Sequence, residues 1–296
     1  MRPASTAPLG AVGLVVLGLV TQDSGASVAV LVFDEVGPAG MVFLRLLFSA
    51  GVLLAIARPK LRGIPRRSWI VVVLFGFSLG LMNLLFYQAI DRLDLGVTVT
   101  LEVIGPLILS VVLARRAVAW LWAVLAFGGV LLLGHGGFAE LDPIGVLFAA
   151  GASAMWVAYI LASRKTGSIL PGLDGLAIAM AIGAVIAAPF GIAQAGPALL
   201  SPQILLIGLA VALLSSTIPY ALELIALRRM AAEAFAVLVS ASPAIAVGAG
   251  FFILGQEIGV VQAIGIVLVI VASIGAVRAS PPPRERPQEP LAEPVA

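Results

Sequence analysis

Arg45, Glu102 and Glu223 fall inside stretches of sequence that are otherwise apolar. A charge at membrane depth is costly, so such residues face a protein interior or a wet cavity and mark function. Smaller polar groups gather in the same stretches. Gln22, Asp23, Ser24 and Ser27 interrupt one apolar run around Gly25. Asn83 and Tyr87 lie four apart, as do Thr98 and Glu102, which puts each pair on one face of a helix. Trp156 with Tyr159, and Tyr220 with Glu223, lie three apart and likewise share a face. Pro106, Pro219 and Pro243 stand beside these groups, where a missing amide opens a kink. The chemistry on offer is recognition: carboxylates for an ammonium or a proton, a guanidinium for a carboxylate, hydroxyls and amides to orient a small solute. Structural uses compete with this. Serine, threonine and asparagine in membranes often serve only as interhelical hydrogen bonds, tyrosine as packing, and the three charges as an ion pair.

Helices that cross a bilayer would have to position these residues. With 61% hydrophobic and 11% charged residues, and a mean hydropathy of +1.16, the chain is far from a soluble domain, where about a quarter of residues are charged. Apolar runs occur at 9–32, 39–57, 68–90, 95–113, 118–134, 143–163, 175–194, 203–227, 232–254 and 258–277. Each is near the roughly 17 to 25 residues of a membrane-spanning helix, and too long and too uniform for barrel strands. All but two of the 17 Lys and Arg fall at Arg2 or in clusters at 58–67, 115–116, 164–165, 228–229 and 278–286. The exceptions are Arg45 and Arg92. Clusters alternate with acidic or uncharged connections, so the positive-inside rule predicts ten spans with both termini cytoplasmic. The sequence therefore predicts an all-α polytopic membrane protein. Apolar character resumes after Ser24, which favours a retained first helix over a cleaved signal peptide. The segment 280–296, rich in proline and charge, is expected to be a disordered cytoplasmic tail.

Compared with itself at an offset near 136, the chain resolves into two halves. Asp142-Pro143-Ile144-Gly145 parallels Ala7-Pro8-Leu9-Gly10, and the run from Ala89 to Leu107 parallels that from Ala226 to Ala244. Five helices per half is an odd number, so the halves would cross the membrane in opposite senses. Inverted repeats of this kind place a solute site near the midplane. The composition also excludes functions. There is no Cys, and the single His135 lies in a glycine-rich loop, so the sequence predicts no disulfide, thiol catalysis, His-based metal site or cofactor. The chain is expected not to be an enzyme. The pI of 9.4 comes from bases spread over loops where orientation needs them, and nucleic acid binding is not expected.

The segments 22–27, 78–87, 101–107, 156–161 and 219–227, taken in order, resemble the inner-membrane threonine/homoserine exporter group of the drug/metabolite transporter superfamily, whose members carry two EamA domains. The resemblance runs from the first span to the tenth. It implies EamA repeats at 8–134 and 143–277 and a ten-helix inverted-repeat carrier in the bacterial cytoplasmic (inner) membrane. It further implies export of small amino acids driven by the proton gradient, with the lipid bilayer, protons and an amino acid as partners. A homodimer is compatible with the sequence. Two departures stand out: Ser242 replaces a glutamate before the proline of the ninth helix, and Gly255-Gln256 replaces Gly-Glu, with Glu257 one place later. Both shift the expected proton-coupling role to Glu102 and Glu223.

The candidate substrate-binding set is Gln22, Ser24, Arg45, Asn83, Tyr87, Glu102, Trp156, Tyr159, Tyr220 and Glu223. Glu102 or Glu223 would meet an ammonium or hold a proton when empty, Arg45 would take a carboxylate, and the others would orient the solute. A carrier for a nucleoside, sugar or drug is the alternative. A small cavity with charges at both ends favours an amino acid, and a large aromatic one favours drugs.

Overall fold

The computed structural model describes residues 9–59, 65–114, 117–133, 141–227, 238–239 and 241–279. The tail at 280–296, and the basic pair Arg228 and Arg229, lie outside the described residues. Apolar sequence of this length folds as helix because a backbone in lipid must satisfy its own hydrogen bonds. The helices are α1 (Leu9–Val30), α2 (Phe33–Ala57), α3 (Arg66–Ile90), α4 (Leu95–Ala114), α5 (Ala117–Leu133), α6 (Pro143–Gly167) and α7 (Asp174–Ala195). A 3-10 turn (Gly196–Leu200) leads to α8 (Pro202–Ala212), which runs through a π turn (Leu213–Thr217) into α9 (Ile218–Leu227). The last two are α10 (Ser242–Leu254) and α11 (Val260–Ala279). No strand occurs among the described residues. The protein is all-helical and multi-pass.

Among the described residues, six segments are long and apolar enough to cross a membrane: Gly10–Val30, Phe33–Ala57, Ser68–Ile90, Pro143–Gly167, Asp174–Leu200 and Pro202–Leu222. Shorter apolar helices occupy Leu95–Leu109, Trp120–Gly129, Ser242–Leu254 and Ala263–Ala272. The stretch 33–38, read from sequence as a connection, starts with a helical turn. Gly37, at φ 67°, then breaks the helix ahead of Pro38. That left-handed conformation suits a residue without Cβ.

Packing joins the early helices to the late ones. The largest interfaces are α2 on α7, α3 on α6 and α5 on α11. Further contacts come in matched sets: α3 with α6 and α1 with α9, α4 with α6 and α1 with α10, α3 with α7 and α2 with α8. Two glutamines secure helix starts across these pairings. The Ala39 amide donates to Gln194 Oε1 of α7 at 2.8 Å, and the Leu95 amide donates to Gln256 Oε1, after α10, at 3.1 Å. Helix N-termini leave amides without internal partners, and each glutamine supplies one. Gln256, which departs from the resembled pattern, therefore has a structural task at the start of α4.

Candidate functional site

Proline breaks create the polar interior. In α4, Pro106 has no amide to give the Glu102 carbonyl four residues back. Ser153 of α6 fills the gap: its hydroxyl donates to the Glu102 carbonyl at 2.8 Å and accepts from the Gly105 amide at 2.7 Å. Between α8 and α9, Pro219 likewise leaves the Ser215 carbonyl without its usual partner. The helix widens into the π turn, closed by the Ile218 amide donating to the Leu213 carbonyl. Such single-turn π bulges are frequent at functional sites.

Arg45 takes up the freed groups. Its Nη2 donates to the Ser215 carbonyl at 2.8 Å, its Nε to Ser216 Oγ at 2.8 Å, and its Nη1 to Tyr87 Oη at 3.2 Å. The guanidinium carbon also lies 5.3 Å from the centre of the Tyr87 ring. Beside it, Ser49 Oγ donates to the Ala212 carbonyl at 3.2 Å. Ser215 Oγ donates to the Gln22 carbonyl at 3.2 Å, tying α1 to the same turn. Gly25 permits that approach, since a Cβ there would collide with Ser215. Arg45 is thus a fixed, buried charge whose position depends on Pro219.

These contacts surround a cavity of about 60 Å³ lined by Gln22, Asp23 and Ala26 of α1, Arg45 of α2, Met82, Asn83 and Phe86 of α3, Val99 and Glu102 of α4, Trp156 of α6, Tyr220 of α9 and Ser242 of α10. Asp23 is 3% exposed, and its Oδ2 has no hydrogen-bond partner among the described residues. Asn83 donates from Nδ2 to the Leu79 carbonyl at 2.8 Å. Among the described residues, the charged side chains that share this lining with Glu102 are Asp23 and Arg45. Two carboxylates and one guanidinium in a confined space can hold an ammonium, a carboxylate or a proton.

The structure brings six of the ten sequence-predicted residues to this cavity: Gln22, Arg45, Asn83, Glu102, Trp156 and Tyr220. Tyr87 is fully buried behind Arg45. Ser24 is not among the lining residues. Tyr159 packs against Phe75 with tilted rings, centroids 5.3 Å apart, and lines a second cavity, of about 150 Å³, with Ser163, Thr166, Leu170 and Leu173. Tyr220 borders both cavities. Glu223 belongs to α9, and its side chain lies outside the described residues. Asp23 was absent from the predicted set although its polarity marked it. Met82, Phe86 and Val99 had no signal, since an apolar side chain facing a cavity reads like one facing lipid.

The profile of the EamA-like transporter family matches residues 143–278. Over 266 residues the chain is 37% identical to the threonine/homoserine exporter RhtA of Salmonella typhimurium strain LT2, spanning 89% of this chain and 90% of that protein. It is 36% identical to the threonine/homoserine exporter RhtA of Escherichia coli K12 over the same length. A solved crystal structure aligns with a TM-score of 0.61 at 18% identity, covering 89% of this chain and 96% of that one, a likeness of fold alone.

Proposed function

Since the chain belongs to the EamA-like transporter family, alongside the threonine/homoserine exporters, we propose that it is a secondary-active inner-membrane exporter of small amino acids of the threonine/homoserine type. The observation that carries the reading is the cavity itself, where carboxylates and a guanidinium meet among apolar walls. Its volume of about 60 Å³ is far below the roughly 300–1,000 Å³ of pockets for drug-sized ligands, which favours a small solute over a drug. The protein acts as a carrier and not as an enzyme.

The solute's ammonium meets Glu102, its carboxylate meets the donors of Arg45 left unused among the described residues, and Gln22, Asn83 and Tyr220 orient it. Proton and ammonium exclude each other at the carboxylate, which couples export to proton entry. The matched helix interfaces support a ten-helix architecture of two inverted repeats, 8–134 and 143–277, rocking about the shared cavity. The basic clusters support an orientation with both termini in the cytoplasm. The second cavity, beside Arg164 and Lys165 at the end of α6, then faces the cytoplasm, with Tyr220 between it and the binding site.

Counterflow in proteoliposomes tests this reading. Vesicles loaded with unlabelled threonine or homoserine accumulate labelled threonine, and an imposed pH gradient changes the rate. Failure to exchange any amino acid in folded protein would overturn the substrate assignment.

A further inference from the structure

Among the described residues, the charges lining the cavity do not balance: Asp23 and Glu102 oppose a single guanidinium, Arg45. Arg45 has five N–H donors, and three are spent on Ser215, Ser216 and Tyr87. Asp23 is in the opposite condition, buried, on the cavity wall, and with Oδ2 unpartnered among the described residues. Among the described residues, the elements packed against α1 restore no balance. Arg45 comes from α2, and α9 brings Tyr220 to the cavity and carries Glu223 a turn further on, another acid. The segments 202–217 and 242–254 hold no titratable side chain. Phe86, Trp156 and Tyr220 add aromatic rings, whose faces attract ammonium groups.

With both carboxylates ionised, the cavity holds one negative charge in excess, which an apolar surrounding disfavours. Either a proton or a cation removes it. From this juxtaposition we propose that the cavity also carries small hydroxylated ammonium compounds lacking a carboxylate, amino alcohols above all, each exchanged for one proton held by the Asp23 and Glu102 carboxyls. The proposal rests on the amino acid export reading only in taking this cavity as the transport site. As the ammonium arrives, the shared proton leaves its carboxyl oxygen for water, and no other bond changes. One cation out for one proton in moves no net charge. A zwitterion exchanged for a proton moves one.

Two probes separate the recognised groups. Threoninol keeps the ammonium and hydroxyl of threonine and carries a second hydroxyl in place of its carboxylate, and N-acetylthreonine keeps the carboxylate without the ammonium. In proteoliposomes exchanging labelled threonine, threoninol is expected to inhibit at concentrations within about tenfold of unlabelled threonine, whereas N-acetylthreonine has no effect at a hundred times that level, on the order of magnitude set by losing the recognised charge. In detergent, threoninol raises the melting temperature of the wild-type protein and releases about one proton per bound amine in weakly buffered solution. The release disappears in Asp23→Asn. Normal threonine exchange with inert threoninol and no melting shift would overturn the proposal. So would proton release that persists in both Asp23→Asn and Glu102→Gln. If threonine is not exchanged but threoninol still stabilises the protein and releases a proton, the amino acid reading fails and this one stands. Should Asp23→Asn not fold, the wild-type proton count decides alone.

Discussion

The two proline breaks at the cavity, Pro106 in α4 and Pro219 at the head of α9, solve one problem by different means. Each leaves the carbonyl four residues earlier without an amide. At Glu102 a neutral hydroxyl, Ser153, serves both the carbonyl and the nearby Gly105 amide, and α4 stays α-helical. At Ser215 a guanidinium takes the carbonyl, and the helix widens to a π turn. The first break is closed locally between α4 and α6. The second fixes a charge, drawing α2, α3 and the π turn together around Arg45. A proline in a membrane helix can thus serve either to shape the backbone or to seat a cation.

This contrast is open to attack from its strongest point downward. Arg45→Ala removes the cation from a buried network and strands the Ser215 carbonyl, so it is expected to cost about 3–5 kcal/mol and abolish transport, read by thermal melting in detergent and by threonine counterflow. Pro219→Ala restores an amide that competes with Arg45 for Ser215. Transport is expected to fall by about tenfold, with a smaller change in melting, as a loosened anchor misplaces the charge. Ser153→Ala leaves the Gly105 amide and the Glu102 carbonyl without their shared partner. A loss of about 1–3 kcal/mol should follow, with slower but measurable transport. Equal losses of transport in Ser153→Ala and Arg45→Ala would erase the distinction between the two breaks.

The smallest effect belongs outside the cavity. Asp142 begins α6, accepting from the Ile144 amide at 2.8 Å and from Arg92 Nη1 at 2.9 Å. The Arg92 hydrogen bond, and next the Ile144 amide, hold its carboxyl below the ordinary 3.8. A carboxylate lowered on folding stabilises above its unfolded value and loses that contribution as pH falls through the folded one. Asp142→Asn should therefore lower the melting temperature slightly at neutral pH, and the difference should vanish below the carboxylate range. Transport should be unchanged.

Much of this architecture is legible in the sequence. Hydrophobic length marks the spans because lipid leaves a backbone little alternative to helix, and Arg45, Glu102, Asn83 and Gln22 stand out because polarity is rare there. Helix rotation is harder to read. Consecutive residues turn by about 100°, so Gln22, Asp23 and Ser24 cannot all face one cavity. The sequence points to Gln22 and Ser24, whereas Gln22 and Asp23 line the cavity. Tyr87 shares a face with Asn83, yet its hydroxyl reaches Arg45 behind the cavity, a position set by tertiary packing. The π turn had a usable signal in Pro219 and the serines four and three residues before it. What those serines would bind depended on Arg45, 170 residues away in the chain.

Calorimetric binding of threonine to the purified protein tests the central claim most directly, with wild type, Glu102→Gln and Asp23→Asn side by side. Saturable binding to wild type is expected, weakened at least about tenfold in Glu102→Gln and in Asp23→Asn, as loss of a charged partner in a confined site requires. Undiminished affinity in both folded variants would contradict it, placing the solute elsewhere than this cavity.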